Sequence, residues 1–261
     1  MQVLVTRPKG QADGLVERLQ QADCAVTAIP MLDTLSSVSA ASNEQLHNLA
    51  SGQLVADYAV FISSNAVTYT AQWLRTQGLS WPKKLPCVPI GTATASAVSD
   101  NGWLLHSGNI GDQRSSEYML DALLKAEPKA KTAVIVSGIG GRKILPDGLR
   151  RAGVEVISIE TYQRIRPDYP IEPLRAQLFA FMNADHAVGK AIIFASGETL
   201  DNFAFYVEKT GQNTLFEVAC VVPSPRVAMR ATEKGFSKVT VANGASADAF
   251  AAALQTLAQS G

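Results

Sequence analysis

Short β-branched runs alternate with helical patterns along almost the whole chain, and no other feature restricts the fold as much. Strands are expected at 3–6, 25–30, 58–63, 87–91, 104–107, 132–137, 154–162, 191–196, 218–223 and 238–242. Apolar residues recur at helical spacing between them, in stretches such as 11–21, 66–77, 94–101, 117–125 and 247–257. Strand–helix–strand order demands right-handed crossovers, hence parallel sheets covered by helices on both faces. The 261 residues suit two such domains or one large one, and 47% apolar against 18% charged residues is enough to fill their cores.

The chain also repeats itself. Phe61-Ile-Ser-Ser-Asn-Ala-Val67 resembles Phe194-Ala-Ser-Gly-Glu-Thr-Leu200, an offset of 133 (63 to 196). The same offset relates Val88-Pro-Ile-Gly91 to Val221-Val-Pro-Ser224 and Asn101-Gly-Trp103 to Lys234-Gly-Phe236, while Gly111-Asp-Gln-Arg-Ser-Ser-Glu117 is echoed by Gly244-Ala-Ser-Ala-Asp248. A second set, Leu19, Ala22 and Val26, returns as Leu149, Ala152 and Val156, an offset of 130 (19 to 149). Single apolar words match by chance; several in register indicate duplication. The rhythm breaks into extended chain at 30–40 and 157–167. Those segments fit paired linkers, with the first strands belonging to the C-terminal unit, and they fit a plain split near residue 165 equally well.

Charge narrows the partners. Lys and Arg number 23 and Asp and Glu 23, a formal net charge of zero, whereas nucleic-acid binders carry a basic excess. No run approaches the ~20 apolar residues that cross a bilayer, and the opening Met-Gln-Val-Leu-Val-Thr-Arg-Pro has no basic leader ahead of an apolar stretch. Cys24, Cys87 and Cys220 lie scattered in or beside apolar runs, as buried thiols do, and not as a disulfide framework or zinc set. His47, His106 and His186 sit in unrelated polar contexts and assemble no metal site. The expectation is a reduced, cytoplasmic protein without nucleic-acid, membrane or metal partners.

Common catalytic signatures are missing: there is no P-loop, no His-Glu-x-x-His and no nucleophile elbow. Gly138-Ile-Gly-Gly-Arg-Lys143 follows a strand, but Lys143 stands where a dinucleotide fingerprint takes its third glycine. What recurs is a strand, then Ser, Thr, Gly or Asn, then a helix. Ser63-Ser64-Asn65, Gly91-Thr92-Ala93-Thr94, the 137–142 turn with Gly138, Ser196-Gly197 and Ser224 all follow strand carboxyl ends. Open parallel sheets bind ligands along that edge. Free helix N-terminal N–H groups and a hydroxyl make each turn an anion site. Helix capping accounts for any single turn, but five of them, in two units able to face each other, favour a ligand with several anionic groups.

Arg7 and Arg142 lie in βα turns on the same edge, where Arg142 either pairs a carboxylate bidentately or stays solvated. Tyr162, amid Ile157, Ile159 and Ile165, fits a packed linker tyrosine or a phenol donating to a leaving group. A non-catalytic module closing on a small polar metabolite shares this architecture. A receiver-like or flavodoxin-like carrier needs an acidic cluster or a flavin, and no Asp cluster follows the strands.

Taken in order, these words resemble the uroporphyrinogen-III synthase family. The matching residues are Val3-Leu-Val-Thr-Arg-Pro8, Phe61-Ile-Ser-Ser-Asn-Ala-Val67, Ile90-Gly-Thr-Ala-Thr-Ala95, Gly141-Arg142 with Leu145 and Leu149, Glu160-Thr-Tyr162, Phe194-Ala-Ser196 and Val222-Pro-Ser-Pro-Arg226. They span nearly the whole chain. The resemblance implies two similar flavodoxin-like, parallel-sheet α/β domains joined by a two-stranded antiparallel linker. One domain is then discontinuous (1–34 and 168–261), the other inserted (38–158), and 30–37 pairs with 159–167.

The resemblance further implies a cofactor-free monomeric lyase that cyclises and dehydrates hydroxymethylbilane, a linear tetrapyrrole with eight carboxylates, inverting its last ring through a spiro intermediate to give uroporphyrinogen III. Such catalysis works chiefly by orientation, blocking direct closure. By position Tyr162 matches the family's linker tyrosine, the candidate catalytic group. Arg7, Ser63, Ser64, Asn65, Thr92, Thr94, Gly138, Arg142, Ser196, Gly197 and Ser224 are the candidate substrate-binding residues. The family's last turn often contains Gly or Thr; Ser224-Pro225 departs from that, which leaves the roles of Ser224 and Arg226 open. A transient contact with the preceding pathway enzyme is the remaining partner expected.

Overall fold

A computed structural model describes residues 1–8, 10–107, 116–125, 130–184 and 189–259. Most of the 111–117 segment of the repeat, and His186, lie outside the described residues. In chain order the elements are β1 (Gln2–Val5), α1 (Asp13–Gln20), β2 (Ala25–Ala28), β3 (Asp33–Ser36), α2 (Ala40–Ser51), β4 (Tyr58–Phe61), α3 (Ser64–Thr76), β5 (Cys87–Pro89), α4 (Thr92–Asp100) and α5 (Ser116–Lys125). They continue with β6 (Thr132–Gly138), α6 (Ile144–Arg151), β7 (Glu155–Ile165), α7 (Ile171–Asn183), β8 (Lys190–Ile193), α8 (Gly197–Thr210), β9 (Ala219–Val222), α9 (Pro225–Glu233), β10 (Val239–Val241) and α10 (Ala247–Gln259).

The chain divides into two compact units, one formed by 1–33 with 165–261 and the other by 34–164. The first holds a five-stranded sheet ordered β10-β9-β8-β1-β2, and the second one ordered β3-β7-β6-β4-β5. Strands β1, β4 and the middle of β6 are buried on both faces, as parallel strands under crossover helices must be. In the first unit Leu4 faces a core with Ile192, Phe194 and Phe203, whereas Val3 and Val5 face Leu15, Phe250 and Leu254. In the second, Phe61 and Val134 pack with α2, α3 and Trp81, whereas Val60 and Ile135 pack with Met119, Leu145 and Leu149.

The duplication is written into the pairing registers. Gln2 pairs with Ala25 as Thr132 pairs with Glu155, an offset of 130. Val3 pairs with Ala191 as Ala133 pairs with Tyr58, and Ile192 with Cys220 as Ala59 with Cys87. Strands β9-β8-β1-β2 therefore repeat β5-β4-β6-β7, and α8 and α9 begin 133 positions after α3 and α4.

One expectation changes. Residues 104–107 form no strand; a single bridge joins Leu105 to Cys87, where the repeat mate builds β10. Leu104 and Leu105 are 49% and 38% exposed, so little burial supports a ladder there. Within the extended segments β3 hydrogen-bonds to β7 as the edge of the second sheet, with Ser37 N donating to Thr161 O at 3.1 Å beyond it. No helix among the described residues is long and apolar enough to cross a membrane.

Candidate functional site

In the second unit the chain leaves β4 for β5 on one side and leaves β6 for β7 on the other, so the topological switch point lies between β4 and β6. In the first unit it lies between β8 and β1. Crevices beyond the strand carboxyl ends at such points are the ligand sites of open α/β sheets. The residues there are Ser63 to Asn65 with Gly138, and Ser196 and Gly197 with Thr6 and Arg7.

Ser63 is the N-cap of α3, its backbone extended at φ −160° and ψ 161°, and its hydroxyl accepts from Ala66 N at 3.2 Å. The same hydroxyl lies 2.9 Å from the Tyr162 hydroxyl. Parity along β7 would send Tyr162 to the opposite face of the sheet, because Val156 packs with the α5–α6 core and Ile157 and Ile159 with the α3 core. A bulge reverses it. Ser137 pairs with Glu160 but Gly138 with Tyr162, leaving Thr161 as the extra residue. Bulges re-aim side chains in this way, and Tyr162 joins the α3 core at 6% exposure. Thr161 carries the cost, its buried hydroxyl having no partner.

Gly138 is explained by the same ring. A Cβ built there would meet Tyr162 Cζ at 2.6 Å and Cε2 at 2.8 Å. Gly138 was expected to touch substrate; it is buried, and its missing side chain is the space Tyr162 occupies. Tyr69, on α3, stacks on Tyr162 with centroids 5.6 Å apart and planes 18° from parallel. Sequence reasoning passed over Tyr69, six residues after the Ser63 cap, because nothing local in the sequence marks it as the neighbour of Tyr162.

The other corners divide. Ser64 and Asn65 are half-buried in the first turn of α3, where N–H groups lack intrahelical acceptors. Gly91 caps α4 at φ 82°, Thr92 is exposed at its first position, and Thr94 is 3% exposed and so turned inward. Ser196 forms a capping box with Thr199. Gly197 is buried, and a Cβ there would meet Arg230 Cδ at 3.3 Å. Arg230 itself is bidentate to Asp201, Nε lying 2.8 Å from Oδ1. Gly197 is therefore packed beneath a salt-bridged arginine. Ser224 caps α9 with the same extended backbone, φ −163° and ψ 158°, but its hydroxyl makes no capping bond.

Of the two arginines, Arg142 is exposed just ahead of α6. Arg7 is engaged: it donates to the carbonyls of Gln11 and Ala245 and lies 5.6 Å from the Phe250 ring centroid. Partial burial lowers its pKa. Its donors tie the β1–α1 turn to the start of α10. His47 meets Trp73 edge-on and His106 meets Tyr58 edge-on. Among the described residues no three His, Cys, Asp or Glu side chains are placed to hold a metal.

The family profile described as "Uroporphyrinogen-III synthase HemD" matches residues 13–252. The uroporphyrinogen-III synthase of Escherichia coli (strain K12) is 30% identical over 98% of this chain and 100% of its own length, and that of Salmonella typhimurium (strain LT2) 28% over 98% and 100%. Among solved structures, uroporphyrinogen-III synthetase from Helicobacter pylori 26695 aligns with a TM-score of 0.61 at 13% identity, covering 98% of this chain and 99% of that one. A mutant uroporphyrinogen III synthase from the extremely thermophilic bacterium Thermus thermophilus aligns with a TM-score of 0.55 at 12% identity, covering all of both chains.

Proposed function

This chain belongs to the uroporphyrinogen-III synthase family, and on that premise we propose that the corner joining β4, α3, β6 and β7 is its reaction centre. The enzyme is a cyclising lyase: hydroxymethylbilane loses water, its last pyrrole is inverted, and uroporphyrinogen III forms. The reacting hydroxymethyl group loses its oxygen with a proton, and the substituted carbon of the last ring attacks the carbon left behind. Ring opening of the spiro product and closure at the other carbon complete the inversion. Unaided closure gives the uninverted isomer, so the protein must hold the bilane in a curl that forbids it.

The observation that carries this reading is the Ser63–Tyr162 hydroxyl pair, 2.9 Å apart at a switch point. Either hydroxyl can be the donor. When Ser63 donates to Tyr162, the phenol proton is free to hydrogen-bond the departing hydroxyl, and Ser63 steadies the oxygen as negative charge grows on it. In the second unit the first turns of α3 and α4 offer N–H groups to anionic groups such as carboxylates, and in the first unit those of α8 and α9 offer donors of the same kind. Ser64, Asn65, Thr92, Ser196, Ser224 and exposed Arg142 are the side chains assigned to that binding.

The two compact units serve as the two domains, with 30–37 and 159–167 linking them. Free thiols at Cys87 and Cys220 fit a reduced, cytoplasmic setting, and a monomer that receives its substrate in transient contact with the preceding enzyme completes this reading. The test is to supply purified protein with freshly generated hydroxymethylbilane and resolve the product isomers by chromatography. Type III product is expected to dominate; type I alone, from folded protein, refutes the activity.

A further inference from the structure

We propose that Tyr69 is a positioning residue for this reaction, acting only through Tyr162; the inference rests on the role given to Tyr162 above. Tyr69 is half-buried on α3, and both ends of its side chain are engaged. Its hydroxyl donates to Thr34 O at 2.7 Å and lies 3.0 Å from Thr34 Oγ1. Its ring stacks on Tyr162, the planes 18° apart. Thr34 belongs to β3, the strand beside β7. Tyr162 is thus gripped from one helix at two points, Ser63 at its hydroxyl and Tyr69 along its ring.

The double grip has a physical reason. Tyr162 sits at a bulge whose extra residue, Thr161, leaves a buried hydroxyl unpaired. The ladder therefore does not fix this side chain as a regular strand would. A hydrogen bond to Ser63 holds one atom of the ring. The stack restrains the ring along its length, and the Thr34 bonds anchor the stacking partner to the neighbouring strand. A group that must meet a departing hydroxyl needs placement within ~0.5 Å. Gly138 completes the seat by leaving room for the ring.

A residue that merely filled space would affect folding equally with or without the Tyr162 hydroxyl, whereas one acting through Tyr162 would not. The experiment measures kcat and KM for Tyr69→Phe, Tyr69→Leu, Tyr162→Phe and both doubles, with urea midpoints alongside. Tyr69→Leu is expected to lower kcat about 10-fold while KM stays within about 2-fold, and Tyr69→Phe to fall between it and wild type. In the Tyr162→Phe background neither change should lower kcat further. Equal losses in both backgrounds, or no loss from either Tyr69 variant in the wild-type background, overturn the inference while leaving Tyr162 in place. A Tyr162→Phe enzyme with wild-type kcat overturns the Tyr162 reading and this inference together. If Tyr69→Leu does not fold, the Tyr69→Phe cycle decides by the same criteria.

Discussion

Gly138→Ala isolates the seat of Tyr162 with a single methyl group. The backbone accepts alanine, because Gly138 is not among the glycines at positive φ. The obstacle is contact: the new Cβ would lie 2.6, 2.8 and 3.1 Å from Cζ, Cε2 and Cε1 of Tyr162, where carbon atoms prefer about 3.5–4.0 Å. The ring must yield by about 1 Å, enough to stretch the 2.9 Å bond to Ser63 beyond a useful length. Overpacking of this kind costs about 1–3 kcal/mol of stability, and an error of ~1 Å at a reacting group costs up to ~10²-fold in rate. The assay pairs the initial rate of type III formation with a urea midpoint. Gly14→Ala is the control: it lies in α1 with nothing within 4 Å of a new Cβ, and should gain about 0.5–1 kcal/mol with unchanged rate. Unchanged kcat and midpoint for Gly138→Ala would refute the packing argument.

Ser63→Ala removes both the α3 cap and the partner of the Tyr162 hydroxyl. It should cost about 1 kcal/mol in the urea midpoint and lower kcat more than the equivalent Ser196→Ala, which loses a cap and a carboxylate contact but no partner of the Tyr162 hydroxyl; equal kcat effects would contradict the pairing. Arg7→Ala should lose about 1–2 kcal/mol, since its donors hold the α10 end to the β1–α1 turn, while KM moves little; a large KM rise would restore it to substrate binding. Burial pushes the Cys87 and Cys220 thiols and the Tyr58 phenol up to about 12. The unfolded chain sheds those protons first, so stability is full below about pH 9 and falls as pH rises towards 12. A Cys87→Ala/Cys220→Ala variant should flatten that fall in urea midpoints between pH 8 and 11, as judged by linkage; an identical slope would show the thiols are not responsible.

How far the chain could be read depends on whether the signal was local. The Ser63 and Ser196 corners were legible because a strand end, a hydroxyl and a helix start are neighbours in sequence, and the repeat showed them twice. The 133 offset proves structural down to Ile192–Cys220 against Ala59–Cys87. The bulge at Thr161 was not legible, since alternation along 155–165 gives no hint that parity changes there; only pairing with β6 does that. Arg7 looked available because its acceptor, Ala245, is 238 residues away. Gly197 looked open for the same reason, its cover coming from Arg230 on another helix. β3 came only from the family resemblance, which paired 30–37 with 159–167, because Asp33-Thr-Leu-Ser36 lacks apolar alternation: Leu35 is 50% exposed, and the strand exists by pairing with β7 and not by its own burial.

The most direct test of Tyr162 as the leaving-group contact is the single-turnover rate of water loss from hydroxymethylbilane in Tyr162→Phe against the unmodified enzyme. A fall of about 10²-fold, at the low end for a positioned proton donor, with the urea midpoint nearly unchanged, is the result expected. An equal rate from the folded variant would contradict it and remove the Ser63–Tyr162 pair from the chemistry.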